Sequence, residues 1–68
     1  MNEIKVNTDI IRLDSFLKWC GAVSQGCEAK IFIKDGMVKV NGEVETRRGR
    51  KLFKGYIVEF GGNTYRII

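Results

Sequence analysis

The spacing of apolar residues in the first third of the chain predicts a short strand followed by a helix. Ile4-Lys5-Val6 alternates apolar and polar residues, as a half-exposed strand does. Apolar residues then recur at intervals of three and four, which places them on one face of a helix that Thr8 or Asp9 caps. Gly21 follows and is suited to end that helix, since glycine tolerates the left-handed backbone found there. The residues on the apolar face are Leu13, Phe16, Leu17 and Cys20.

A second helix is predicted to open near Ser24 and to close at Gly36. Its apolar face carries Ala29, Phe32 and Ile33, which again lie three and four residues apart. Only about three residues are expected between the two helices, and a connection that short makes a compact helix-turn-helix pair.

The second half of the chain changes to a strand-like period of two. Val38 and Val40 alternate with Lys39, and Glu43-Val44-Glu45 continues after Asn41-Gly42, two residues that accept positive φ in a tight hairpin turn. Further strands are predicted over 56–60 and 64–68, joined by a turn at 61–63. The fold class is therefore α+β: a helix-turn-helix pair followed by a small antiparallel sheet, in a single domain over 1–68.

Positive charge is concentrated in one segment. The chain has 12 basic and 8 acidic residues, for a net charge of +4. Without the window 47–54 the chain has 7 basic and 8 acidic residues, because that window holds five cations and no acid. A concentrated basic segment on a folded domain indicates an anionic partner, nucleic acid first, while a solvated surface is the plainer interpretation. The five cations are Arg47, Arg48, Arg50, Lys51 and Lys54.

The composition offers little for catalysis or for metal binding. The chain has no His, and its cysteines are Cys20 and Cys27, whereas a structural zinc site takes four ligands. We therefore expect a protein without enzymatic activity, cofactor or metal, with both cysteines as half-buried residues at the helix junction. No apolar run approaches the length of a membrane span, and the first residues do not resemble a signal peptide, so the cytoplasm is the expected location.

Two residues of the basic segment are apolar, and each admits two interpretations. Leu52 and Phe53 could anchor the segment to the core, or present an apolar surface among the cations. We expect the first for Leu52 and leave both open for Phe53, because interleaved basic and aromatic residues can also bind phosphates and stack bases.

Four motifs, in order along the chain, resemble the S-four RNA-binding domain, a module named after protein four of the small ribosomal subunit. Residues 12–17 match its R-L-D-x-x-L opening, and Glu28-Ala29-Lys30 with Ile33 is similar to its second helix. Residues 36–42 match its G-x-V-x-V-N-G strand and turn. The run at 45–52 resembles the E-x-R-R-G-R-K-L segment of small stand-alone bacterial members, which are described as RNA-binding and ribosome-associated.

The resemblance implies an RNA-binding surface and places residues on it. Many family members carry Ser-Arg at the start of the second helix, where this chain has Gln25-Gly26. If the loop 47–51 folds back beside the exposed lysines of the helices, one positive surface results, and guanidinium groups on it can hold phosphates bidentately. The residues expected to bind RNA are Arg12, Lys18, Gln25, Lys30, Lys34, Asn41, Arg47, Arg48, Arg50 and Lys51.

The expected partner is structured RNA, ribosomal RNA first, recognised by shape and phosphate spacing. One alternative is a ribosome-associated adaptor that meets an acidic protein, with Trp19 and Tyr56 as anchors if they are exposed. A duplex DNA reader is disfavoured, because residues 25–27 offer few base-reading side chains. The sequence predicts no membrane partner and leaves the oligomeric state open.

Overall fold

Seven strands and two helices follow one another in a computed structural model that describes Met1–Ile68. In chain order they are β1 (Asn2–Ile4), β2 (Ile10–Arg12), α1 (Leu13–Trp19), α2 (Gly26–Lys34), β3 (Val38–Val40), β4 (Glu43–Val44), β5 (Lys51–Phe53), β6 (Ile57–Phe60) and β7 (Asn63–Ile67). The α+β class and the predicted order of helix pair and sheet are confirmed.

Both helices form where the apolar spacing predicts them. α1 buries Leu13, Phe16 and Leu17, and α2 buries Ala29 and Ile33. Each helix is followed within two residues by a glycine with φ near +80°, at Gly21 and Gly36, as the sequence predicts. The two apolar stripes are therefore the faces that the helices present to the core.

The start of α1 differs from the prediction. Thr8 and Asp9 do not cap this helix, because residues 10–12 are extended as β2 and α1 begins only at Leu13. The Thr8 hydroxyl instead donates to the Ile10 carbonyl at 2.8 Å. A run as short as Ile10-Ile11 does not distinguish helix from strand by its period, and pairing with a distant strand decides the outcome here.

Three smaller boundaries also move. The first strand is Asn2–Ile4 rather than 4–6, although Val6 is buried. The helices are separated by residues 20–25, twice the predicted length, and the N-cap of α2 is Gln25 rather than Ser24.

The main sheet has five strands in the order β1-β7-β6-β3-β4. All neighbouring strands are antiparallel except β1 and β7, which are parallel, so the predicted antiparallel sheet carries one parallel edge strand. The β3–β4 turn uses Asn41 at φ 52° and Gly42 at φ 85°, which confirms the predicted hairpin. A separate two-stranded antiparallel pair joins β2 to β5.

The core lies between the two helices and one face of the sheet. Phe16 of α1 meets Tyr65 of β7 edge-on with ring centroids 6.3 Å apart, and Phe32 of α2 lies 5.1 Å from Phe60 of β6. Leu52 of β5 is fully buried in the same cluster, so the β2–β5 pair is attached to the core through it.

The opposite face of the sheet carries charges of both signs in register. Lys39 of β3 pairs with Glu59 of β6, and Glu3 of β1 pairs with Arg66 of β7. Opposite charges directly across a strand pair are the stabilising arrangement. We call this surface the outer sheet face.

Candidate nucleic-acid interface

The β2–β5 pair, which we call the ribbon, separates apolar from basic residues between its two sides. Its register places Ile10 opposite Phe53, Ile11 opposite Leu52 and Arg12 opposite Lys51. Leu52 is buried and Ile11 half-buried, so the middle pair faces the protein. Because side chains alternate along a strand, the other four residues share the outward side. This ribbon face presents Ile10, Arg12, Lys51 and Phe53.

Two like charges lie directly opposite each other on the ribbon face. Arg12 and Lys51 are cross-strand partners, and both are exposed. Like charges in this position destabilise a strand pair. Arg12 is partly compensated by an ion pair with Asp14 at 3.2 Å, while Lys51 forms no ion pair. The ribbon face therefore keeps a net positive charge, because only one of its two cations has a carboxylate partner.

The loop 47–50, which we call the basic loop, is fixed against the start of α1 by backbone hydrogen bonds. The Leu13 N–H donates to the Arg50 carbonyl at 2.9 Å, and the Asp14 N–H donates to the Arg48 carbonyl at 3.1 Å. No side chain caps α1, and these carbonyls accept from backbone N–H groups of the first turn that would otherwise lack a partner. The first turn of the helix thus holds the basic loop in place.

A single buried carboxylate organises the arginines of the basic loop. Glu45 accepts hydrogen bonds from the Arg47 Nε at 3.0 Å and Nη2 at 3.1 Å, and from the Arg50 Nη1 at 2.7 Å. It also accepts from the Arg47 backbone N–H at 3.0 Å. One negative charge therefore orients two guanidinium groups, and the cluster keeps a net positive charge.

These contacts shift the titration of the cluster. The hydrogen bonds from Arg47, reinforced by Arg50, lower the pKa of Glu45 to about 2 despite its burial. The same carboxylate raises the pKa of Arg47 and of Arg50 above the ordinary arginine value. All three groups are ionised near neutral pH.

An open depression of about 560 Å³ lies beside the basic loop. Arg50 contributes to its wall and also to a cation–π contact, with its guanidinium carbon 5.9 Å from the Tyr56 ring centroid. Tyr56 in turn meets Phe53 edge-on at 5.5 Å. The depression is lined by Arg47, Gly49, Arg50, Lys51, Phe53 and Tyr56.

The structure brings five of the predicted residues together at this end of the molecule. Arg12 and Lys51 lie on the ribbon face, and the Arg12 guanidinium also lies against Gly49, 3.6 Å from where a β-carbon would be at that glycine. The other three, Arg47, Arg48 and Arg50, lie in the basic loop. The basic loop therefore lies beside the start of α1, and this end of the molecule contains none of the helix lysines beside which the loop was expected.

The remaining predicted residues lie elsewhere. Lys18 is exposed near the end of α1, where it lines a shallow depression with Ser15 and Trp19. Lys30 and Lys34 are exposed on α2, and no hydrogen bond, ion pair or shared depression connects them to the basic loop.

The two predicted amides already have structural hydrogen bonds. Gln25 is the N-cap of α2 in a capping box with Glu28, and its side-chain oxygen also accepts from Cys27 at 3.4 Å. The Asn41 side-chain oxygen accepts from the Ile57 N–H at 2.9 Å, which attaches the β3–β4 turn to β6. Their NH₂ groups form no hydrogen bonds within the protein.

The sequence does not predict Glu45 as part of the site, and it leaves the positions of Phe53 and Tyr56 open. Glu45 reads as the end of a strand, yet it is the only acid next to the basic segment, and that is the signal for its role. Phe53 and Tyr56 could not be placed without knowing that β5 pairs with β2. The prediction that Leu52 anchors the segment is confirmed, whereas Phe53 is 42% exposed on the ribbon face.

The cysteines and Trp19 take different environments. Cys20 is half-buried at the end of α1, and burial raises the pKa of its thiol. Cys27 is exposed near the start of α2, so its expected half-burial is wrong. Trp19 is exposed, with its indole N–H donating to the Lys5 carbonyl at 2.9 Å.

Comparison with known proteins identifies the class. The model of the S4 domain family matches residues 4–68, and the chain belongs to that family. A Bacillus subtilis (strain 168) protein named "Probable ribosome maturation protein RlbA" is 43% identical over 61 residues, which cover 90% of this chain and 86% of that one. YbcJ of Escherichia coli (strain K12) is 40% identical over 58 residues, which cover 85% and 83%.

Two solved structures share the fold. The solution structure of YbcJ from E. coli, described as revealing an αL motif involved in RNA-binding, superposes with a TM-score of 0.76 at 35% identity. That match covers all of this chain and 87% of YbcJ. The 30S ribosomal protein S4e of Thermoplasma acidophilum matches with a TM-score of 0.66 at 20% identity, over 88% of this chain and 32% of that one. Neither helix of this chain is long and apolar enough to span a membrane.

Proposed function

We propose that this protein binds structured RNA, with ribosomal RNA as its target in the cytoplasm, and that it has no enzymatic activity. One observation carries the site: exposed cations from β2, β5 and the basic loop converge on one end of the molecule. Arg12 and Lys51 even face each other across the ribbon, an arrangement that an anionic ligand would stabilise. Phosphates are the anions that such a surface meets on RNA.

The geometry of the arginines suits phosphate binding. Because Glu45 accepts three hydrogen bonds from the guanidinium groups of Arg47 and Arg50, these planar groups are oriented before any ligand arrives. A side chain that is already ordered loses less conformational entropy on binding. The Arg47 side chain remains 73% exposed, so donors not used by Glu45 are accessible to a phosphate.

The relatives support the same function. YbcJ is described as containing a motif involved in RNA-binding, and the B. subtilis relative is named for ribosome maturation. These names favour RNA over an acidic protein partner. The adaptor hypothesis also loses one of its two anchors, because Tyr56 is half-buried and already contacts Arg50 and Phe53.

The other predicted residues form a proposed second area of contact. Lys18, Lys30 and Lys34 extend the positive surface along the helices. The free NH₂ groups of Gln25 and Asn41 would each donate to a phosphate oxygen. We expect these residues to contribute less than the basic loop, since the lysines are not held in place by a carboxylate.

The test is fluorescence anisotropy with a structured ribosomal RNA fragment across a salt series, with a DNA hairpin of matched sequence alongside. We expect binding that prefers RNA and weakens steeply with salt. Each phosphate contact contributes about 0.7–0.9 to the slope of log K against log salt. Failure of folded protein to bind RNA at low salt would contradict the proposal.

A matched pair of double variants tests the site. Arg48→Gln with Lys51→Gln removes two cations that form no ion pair, and we expect the slope to fall by about 1.4–1.8. Lys39→Gln with Arg66→Gln removes the same charge from the outer sheet face and should leave the slope nearly unchanged. Equal losses in both variants would mean that only net charge matters and would reject this site. Arg47 and Arg50 are not replaced, because their removal would leave the buried Glu45 carboxylate without its ion-pair partners.

A further inference from the structure

Phe53 is an aromatic side chain held in a defined position at the most positively charged part of the surface. Tyr56 contacts it edge-on at 5.5 Å, and Arg50 in turn lies over the Tyr56 ring at 5.9 Å. Arg50 is itself fixed by Glu45 at 2.7 Å. A continuous chain of contacts therefore runs from a buried carboxylate through a guanidinium and a tyrosine to Phe53.

The packing of the core does not explain why an aromatic residue occupies position 53. Leu52, its neighbour, already fills the inward position of β5, and Phe53 points to the other side of the ribbon with 42% of its surface exposed. Ile10, its cross-strand partner, is 45% exposed. Two large apolar side chains thus lie next to each other in solvent, flanked by Arg12 and Lys51.

The surroundings restrict what could cover this apolar pair. The depression beside Phe53 is also lined by Arg47, Arg50 and Lys51, so its occupant needs an apolar face and an anionic group within a few ångströms of each other. A nucleotide combines these features, with a flat base and a phosphate on one sugar. A base inside a regular duplex cannot reach an aromatic ring, because both of its faces are stacked on neighbouring bases.

We propose that Phe53 is the stacking platform for an unpaired nucleobase of the bound RNA, while Arg50 and Lys51 hold the adjoining phosphate. The preferred substrate is then a helix interrupted by a bulged or looped-out nucleotide. Tyr56 is a positioning residue, since one side of its ring is taken by Arg50 and it braces Phe53. Stacking on an aromatic ring is tolerant of base identity, so the site selects an unstacked nucleotide rather than a sequence. This inference rests on the proposed function.

The experiment compares two RNA hairpins that differ only by one bulged 2-aminopurine, whose fluorescence falls when it stacks. The full-length wild-type protein should bind the bulged hairpin about 5–100-fold more tightly than the perfect one, the range expected for one base stacked on an aromatic ring. Its binding should also quench the 2-aminopurine. Phe53→Leu should abolish the preference and the quenching, so that the bulged hairpin binds no more tightly than the perfect one.

Two control variants bracket this result. Phe53→Tyr keeps an aromatic face and should retain most of the preference. Trp19→Leu removes an exposed aromatic ring from another part of the surface and should have no effect on the preference. A thermal melt of each variant confirms that it is folded, as expected for substitutions at exposed positions.

The possible failures are distinguishable. Equal affinity for both hairpins, without quenching, would overturn the stacking inference and leave the proposed function standing. Wild-type behaviour of Phe53→Leu would overturn the stacking inference in the same way. If the folded protein binds neither RNA, both proposals are wrong. The same conclusion would follow if the protein bound neither hairpin but bound an acidic, aromatic peptide in the depression.

Discussion

The ribbon face and the outer sheet face arrange their charges in opposite ways. On the outer sheet face, Lys39 faces Glu59 and Arg66 faces Glu3 in the strand register. On the ribbon face, Arg12 faces Lys51. Both surfaces are exposed and lie in one small protein, so solvation alone does not account for the difference.

The charge pairs on the outer sheet face stabilise the strand pairing, whereas the like charges on the ribbon face destabilise it. A positive face that costs stability in the free protein indicates a ligand that compensates the charge when it binds. The same contrast extends to apolar residues, since Phe53 and Ile10 are exposed on the ribbon while the core lies on its other side. The ribbon therefore combines attachment to the core on one side with the proposed binding surface on the other.

The largest loss of stability should come from removing a buried side chain on the inward side of the ribbon. Leu52 is fully buried, and Leu52→Ala should lower the free energy of unfolding by about 2–5 kcal/mol, because it removes core packing and leaves a cavity. Phe53→Leu, one residue along but on the outward side, should lower it by only about 0.5–1.5 kcal/mol, because this variant loses the edge-on contact with Tyr56 but leaves no cavity in the core. Urea denaturation of both variants measures the difference. Similar losses at the two positions would contradict the division of the ribbon into two sides.

A smaller loss of stability should follow from removing the charge that orients the basic loop. Glu45→Gln leaves two arginines without their carboxylate. The lowered pKa of Glu45 corresponds to about 3 kcal/mol, which screening around the exposed Arg47 reduces to about 1–2 kcal/mol at neutral pH. RNA affinity should fall even though the variant gains net positive charge. Tighter RNA binding would show that charge outweighs orientation.

The pH dependence of stability tests the same carboxylate in the wild-type protein. The pKa of Glu45 is lowered from 4.5 to about 2 on folding, so the unfolded chain binds the proton more readily. Its contribution is fully present above about pH 4.5 and is lost as the pH falls towards 2. The difference in unfolding free energy between wild type and Glu45→Gln should therefore shrink over this range, as urea titrations at several pH values would show. A constant difference would contradict the assignment.

The parts of the fold that could be predicted from sequence are those encoded locally. The helical stripes of Leu13, Phe16 and Leu17, and the Asn41-Gly42 turn, depend on residues close together in the chain. The ribbon depends on pairing between residues about forty positions apart, because β2 and β5 each have three residues and little periodicity of their own. Because the ribbon was not predicted, the predicted start of α1 was also several residues too early.

The same distinction between local and long-range information applies to the candidate site. Its cations were predicted because charge density is visible in sequence, and the family motifs supplied Arg12. The role of Glu45 and the exposure of Phe53 depend on where β5 and the basic loop lie relative to α1, and no local pattern contains that information. The helix lysines were predicted correctly as exposed, but their place on an RNA-binding surface stays a prediction.

The smallest expected effect gives the most direct test of the comparison, because one kind of substitution should have opposite signs on the two surfaces. Lys51→Glu converts the like pair with Arg12 into an opposite pair and should stabilise the free protein by about 0.2–1 kcal/mol. Lys39→Glu places two acids across the β3–β6 pair and should destabilise it by a similar amount. RNA affinity should fall strongly for Lys51→Glu and only slightly for Lys39→Glu, although both lose the same net charge. Stability that falls in both variants would mean that Arg12 and Lys51 do not repel each other in the free protein, and the exposed ribbon charges would then need no ligand to account for them.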